Sequence, residues 1–159
     1  MAEIPFIRLR MRLDQFDAEP ATIPNGVVWS DFDSARHARP ARDLLNEVYA
    51  GGGGQVEPYD TWWPRLSADP EFDPELCFVA RCAHSGAMIG FAQCWTSAFI
   101  KDIAIAKAWQ RKGLGRAMLY RILARFKSCG AVQVDLKVKA GNLGALGFYR
   151  ALGMMPVDP

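Results

Sequence analysis

From Phe99 to Gly153 the hydrophobic spacing runs strand, glycine loop, helix, strand, helix, and any fold of this chain must accommodate that order. Residues 99 to 106 alternate as a strand does, with Phe99, Lys101, Ile103 and Ile105 on one face and Ile100, Asp102 and Ala104 on the other. After the loop Lys107 to Gly115, the positions Gly115, Met118, Leu119, Ile122, Leu123 and Phe126 fall on one stripe of a helix. Ser128-Cys129-Gly130 stops it. Val132, Val134, Leu136 and Val138 then alternate with Gln133, Asp135, Lys137 and Lys139, a strand with one polar face. A crossover of this kind sets the two strands parallel and adjacent. Ala140-Gly141-Asn142 leads into a short helix, Leu143 to Leu152, closed by Gly153.

A helix that opens on a glycine loop turns its unpaired N–H groups and the positive end of its dipole toward whatever lies in the loop. A phosphate is the expected guest. Gly113 and Gly115 omit side chains where the backbone must come close, and Arg111, Lys112 and Arg116 add positive charge. No Lys-Ser or Lys-Thr follows, as a Walker loop requires, and the third glycine of a dinucleotide fingerprint is missing. The bland alternative is that the glycines only shape the helix entry.

Upstream, Ile7, Leu9, Met11 and Leu13 alternate with Arg8, Arg10 and Arg12, which predicts a strand over Phe6 to Leu13 with its arginines in solvent. Residues 14 to 26 read as a connector and Val27 to Phe32 as a short strand. Ala41, Leu44, Leu45, Val48 and Tyr49 predict a helix from Asp33 or Ser34 to Tyr49, with Pro40 arguing for a late start or a kink. Gly51 to Gly54 form a hinge, at a substrate entrance or simply as a loop, before a helical piece around Pro58 to Leu66. Leu76 to Cys82 and Met88 to Trp95 read as a hairpin.

At 159 residues, half of them apolar, the chain is expected to be a single domain over 1–159, with 1–26 an extra strand and connector and 99–154 the core. A net charge of +2 without a basic tract gives no reason to expect nucleic acid. With no leader pattern and no apolar run long enough to span a bilayer, no membrane partner and a cytoplasmic location are expected. Cys77, Cys82, Cys94 and Cys129 have no zinc or redox spacing, and His37 and His84 no metal-binding company, so no metal is expected.

Gln110-Arg-Lys-Gly-Leu-Gly115 resembles the Q/R-x-x-G-x-G/A motif of the GCN5-related N-acetyltransferase (GNAT) superfamily, and Asn142 to Met154 resembles its Asn…Ala…Tyr…Leu-Gly-Phe segment. The likeness covers roughly 76 to 154. It implies a mixed α/β fold: a central sheet, mostly antiparallel, with one parallel pair splayed around the cofactor and helices on both faces. It also implies acetyl-CoA as cosubstrate and an N-acetyltransferase working by direct attack. Ile103, Ala104 and Ile105 would hold the pantetheine and the acetyl carbonyl. Gln110, Arg111, Lys112, Gly113, Leu114 and Gly115 would hold the pyrophosphate with Arg116 beside it. Asn142, Ala145 and Phe148 would line the pantetheine path, and Tyr149 would be the catalytic acid at the sulfur.

Asn142 also fits a helix cap, and Tyr149 a packed aromatic with a wet hydroxyl. Asp102 is a carboxylate near the site that fits a base or a structural role. Trp62, Trp63, Tyr59 and Trp95 fit an acceptor wall or core packing. Lys101 stands where polyamine-acetylating members carry an acid, which favours a small-molecule primary amine bearing a carboxylate; a protein amine is the other acceptor class. A non-catalytic acyl-CoA-binding regulatory module is the alternative function.

The family continues with two more strands after its Leu-Gly-Phe position, whereas after Met154 this sequence has room for one short strand. The truncated C-terminal edge needs cover. The Phe6 to Leu13 strand is the candidate, from the same chain or exchanged in a homodimer.

Overall fold

A computed structural model describes residues 5–17 and 22–158. The sequence builds β1 (Phe6–Arg12), β2 (Val27–Asp31), α1 (Ser34–Tyr49), α2 (Tyr59–Ser67), β3 (Phe72–Cys82), β4 (Met88–Trp95) and β5 (Phe99–Ile105). Then follow α3 (Leu114–Ser128), β6 (Gln133–Lys139), α4 (Leu143–Ala151) and β7 (Met155–Val157). The strands form one seven-stranded sheet in the order β2-β3-β4-β5-β6-β1-β7. All neighbours are antiparallel except β5 and β6.

Apolar residues on the two sides of the sheet divide into two cores. Leu9, Met11, Val134, Leu136 and Tyr149 pack with Met118, Leu119, Ile122 and Leu123 of α3 on one side. Leu44 and Leu45 of α1 and Trp62 and Leu66 of α2 cover Cys77, Val79, Phe91 and Ala104 on the other. Helices therefore lie on both faces, as the family resemblance implied.

Helix α1 starts at Ser34, without the late start that Pro40 suggested. Asp33 caps it by accepting from the Ala35 N–H at 3.0 Å, and His37 Nδ1 accepts from the Asp33 N–H at 2.9 Å. Pro40 and the residue whose carbonyl it leaves free, Arg36, are both exposed, so the lost hydrogen bond faces water.

The strand at the N-terminus covers the sheet within the chain. β1 pairs with β6 from Phe6↔Lys139 to Arg12↔Gln133, and β7 pairs with the far side of β1. This seating corrects one expectation. Arg8 and Arg10 do not simply face solvent, because the pairing sets Arg10 opposite Asp135, which is 3% exposed. Arg8 Nε and Arg10 Nε donate to its two carboxylate oxygens at 2.7 and 2.8 Å. Only Arg12 is left on the surface, 3.4 Å from Asp14.

Candidate active site

β5 and β6 are paired only at Phe99↔Asp135 and Ile100↔Leu136 and then diverge, which leaves facing backbone edges on Lys101 to Ile105 and on Lys137 to Lys139. At the end of β5 the chain turns through Gln110 to Gly113. Arg111 (φ 62°) and Gly113 (φ 90°) are both left-handed, and alternation of hand gathers successive N–H groups into a concave nest. For Arg111 that backbone costs roughly 1–2 kcal/mol, a strain typical of functional loops. Among the described residues, the N–H groups of 111 to 116 have no protein acceptor, and the first bond of α3 runs from Ala117 to the Gly113 carbonyl at 3.0 Å. A Cβ on Gly113 would meet nothing within 4 Å, so the nest is open.

Gln110 is exposed, and its Nε2 donates to the Ile105 carbonyl at 2.9 Å, tying loop to strand. Lys112 Nζ lies 5.3 Å from the Trp109 ring and the Arg116 guanidinium 5.2 Å from the Tyr120 ring, so two of the loop cations are steadied on aromatics. A Cβ on Gly115 would lie 3.5 Å from Phe148 Cζ and 3.7 Å from Ile105 Cγ1. Loop, β5 and α4 therefore converge there.

Asn142 caps α4, its Oδ1 accepting from the Ala145 N–H at 3.2 Å. The cap leaves its Nδ2 without a protein partner among the described residues, and a Cβ on Gly53 would be 3.4 Å from that atom. Ala145 packs at the edge of the first core, with Tyr149 beyond it. Burial pushes the Tyr149 phenol up to about 12, and its hydroxyl has no protein hydrogen bond among the described residues. Its ring meets Phe148 edge-on at 5.2 Å.

A cavity of about 890 Å³ opens beside this groove on the α1 and α2 side of the sheet. Lys101 and Asp102 both line it, against the strict alternation expected of β5. The register passes from Gln93↔Asp102 to Cys94↔Ile100, so Lys101 is an extra, bulged residue. The bulge moves Ile100 into the α3-side core with Ile103 and Ile105, while Ala104 stays in the other. Asp102 accepts from the Tyr49 hydroxyl at 2.8 Å, and burial first, then the Asp102 charge, pushes the Tyr49 phenol upward.

Gln93, fully buried, donates Nε2 to the Cys94 carbonyl at 3.0 Å and leaves Oε1 without a partner. Trp62 and Trp95 line the cavity too. Trp63 instead packs on Phe32 and Phe72, and Tyr59 lies beneath Arg39, 4.1 Å from its guanidinium. Gly53 and Gly54 line the cavity from the glycine run. Tyr49, Gln93, Lys137 and Lys139 line the cavity, and periodicity alone did not single them out.

Burial holds the Cys94 thiol well above its ordinary value, which disfavours the thiolate. Among the described residues no group of three His, Cys, Asp or Glu side chains could hold a metal ion, and no helix is long and apolar enough to cross a membrane.

The acetyltransferase (GNAT) family model matches residues 39–154. The chain belongs to this family. Among sequence relatives, the [ribosomal protein bS18]-alanine N-acetyltransferase of Escherichia coli (strain K12) is 36% identical over 52 residues, 33% of this chain and 35% of that protein. Mycothiol acetyltransferase of Thermobifida fusca is 34% identical over 99 residues, 54% of this GNAT chain and 30% of the relative. A crystal structure of a GCN5-related N-acetyltransferase from Sphaerobacter thermophilus superimposes with a TM-score of 0.81 at 22% identity, over 96% of this chain and 48% of that one. The GNAT chain thus covers about a third of the sequence relatives and about half of the solved structure.

Proposed function

We propose that this GNAT chain is an acetyl-CoA-dependent N-acetyltransferase acting on the primary amine of a small molecule. The observation that carries the proposal is the open nest of N–H groups at residues 111 to 116, set where β5 and β6 part. Those groups, with Arg111, Lys112 and Arg116, fit a pyrophosphate, and the space that a Cβ on Gly115 would fill fits a close approach by a bound chain. The backbone edge of Ile103 to Ile105 turned away from β4, the Asn142 Nδ2 and the Ala145 and Phe148 side chains would hold the pantetheine. When bound, acetyl-CoA supplies the thioester that the amine attacks directly, forming the C–N bond and releasing the thiol.

Asp102, fixed by the Tyr49 hydroxyl, takes the proton that the amine nitrogen loses. Tyr149 returns one to the departing sulfur. Because β1 covers β6 within the chain, neither role needs a second subunit, and a mass measurement on the active species decides whether a homodimer forms.

The test is thiol release from acetyl-CoA with an amine panel, alongside the melting temperature with coenzyme A. Turnover with at least one amine is expected. At a hundredfold excess over its Kd, the cofactor should add about 2.7 kcal/mol of stability. That stabilisation without turnover on any small or peptide amine would instead favour a regulatory acyl-CoA-binding module.

A further inference from the structure

The acceptor cavity holds two demands that no ion pair or hydrogen bond among the described residues meets. One is positive charge. Lys101 reaches the cavity from the bulge in β5, and Lys137 and Lys139 from the parted end of β6. Among the described residues none of the three makes an ion pair, whereas the other cations of the cavity, Arg42 and Arg65, share Glu57 at 3.8 and 2.7 Å. The register sets Lys137 opposite Arg8, a like-charge pair that destabilises a sheet. Asp135 does not relieve Lys137, since its two oxygens accept from Arg8 and Arg10 at 2.7, 2.8 and 2.9 Å. Asp102, the nearest acid in sequence, is bound to Tyr49. Cations converging on a concave wall focus their field on an anion within it.

The other demand is for a proton donor. Gln93 is 0% exposed and lines the cavity; its amide is held by the bond from Nε2 to the Cys94 carbonyl, and its buried Oε1 is left without a partner among the described residues. A buried acceptor left so costs about 1–3 kcal/mol. A ligand with an N–H removes that cost.

We infer that the acceptor is a small amine that also carries an anionic group, the anion held by Lys101, Lys137 and Lys139 and an N–H of the acceptor donated to Gln93 Oε1. The inference rests on the acetyltransferase reading and narrows its substrate. Carboxylate and phosphate share the required chemistry, and the cavity volume lies in the range of small-ligand sites.

The experiment compares kcat/KM for γ-aminobutyrate, aminopropyl phosphate, aminobutanol and putrescine, which differ at the end remote from the amine. One of the two anionic amines should exceed aminobutanol by about tenfold at low salt, with putrescine the poorest, and the advantage should shrink as salt rises. Which anion leads identifies the natural group. In a Lys137→Gln/Lys139→Gln variant the ratio of anionic-amine to aminobutanol kcat/KM should fall to within about twofold. Equal rates, a preference for putrescine, or an advantage that survives in the variant would overturn the anion seat while leaving the acetyltransferase intact.

A second arm needs no turnover. Calorimetric titration of the coenzyme A-bound chain with γ-acetamidobutyrate and N-butylacetamide should show tighter binding of the anion, lost in the lysine variant. If no amine is acetylated, the activity fails and this titration alone decides the seat, with equal affinities refuting it. Gln93→Leu should raise KM for the anionic amine several-fold without lowering the melting temperature. An unchanged KM would remove Gln93 from substrate recognition.

Discussion

With its phenol pushed up to about 12 by burial, Tyr149 keeps its proton across the neutral range and is equipped to give it away. Tyr149→Phe should cut kcat by roughly a hundredfold while leaving the thermal shift caused by coenzyme A unchanged. The same burial makes a statement about stability. A tyrosine raised in the folded state stabilises fully below its unfolded value of 10.0, and that contribution is lost as pH climbs from there through the folded value. Tyr49 is raised in the same direction, so melting temperature should decline above about pH 10, less steeply in Tyr149→Phe. A Cβ on Gly54 would come within 2.5 Å of the Tyr49 ring. Gly54→Ala should therefore cost about 1–3 kcal/mol in denaturant melts and, by moving the ring from Asp102, lower kcat. Periodicity reads Tyr49 as one more apolar position of a helix and Gln93 as an ordinary strand residue. Both gain their roles from partners in other elements, Asp102 for one and the cavity for the other, and neighbouring sequence carries no mark of that.

At the scale of elements, β1 is fastened to β6 by a two-arginine clamp. Burial alone would raise the Asp135 carboxyl, but hydrogen bonds and charge from Arg10 and Arg8 outweigh it and hold the group below its ordinary 3.8. The clamp thus contributes fully above that value, and its contribution disappears as pH falls through the lower folded value. Asp135→Asn should lower stability at pH 7 by roughly 2–3 kcal/mol, less than for a sealed ion pair because both arginines keep some contact with water, and should lose its effect in strong acid. Urea melts of both proteins across pH 2–7 would check the size and the convergence. Most of these elements can be read from local spacing: β5, α3, β6 and α4 fall where the alternation and the helical stripe put them. The bulge at Lys101 cannot, because residues 99 to 105 alternate without a break and the extra residue exists only relative to β4. β3 begins at Phe72 rather than Leu76 because its first residues are held by pairing of Phe72 with Trp95, across a proline and two acids that disguise the strand. The nest at 111 to 116 is legible because glycine spacing and local backbone hand make it, whereas the cavity needs β1, α1, α2, β4, β5 and β6 brought together.

Across the whole molecule, the sheet order sets the first strand between the last two, β6 and β7. Removing residues 1–12 should expose the β6 edge and strand β7 without a neighbour, giving a protein that aggregates, and a synthetic peptide of the β1 sequence should restore its solubility. Light scattering with and without the peptide reads the outcome; a soluble, monomeric truncated chain would show that the edge needs no cover. The clamp from Arg8 to Asp135 spans 127 positions of sequence, a separation that slows folding. At about 5–20 residues per second, the first strand leaves the ribosome on the order of ten seconds before its partner is made. Phe6 belongs to the cavity wall, so the nascent chain carries its first wall residue long before the β6 residues that face the same cavity are made. An apolar, arginine-studded ribbon must meanwhile wait unpaired, which makes the beginning of this chain the part with most to gain from a chaperone.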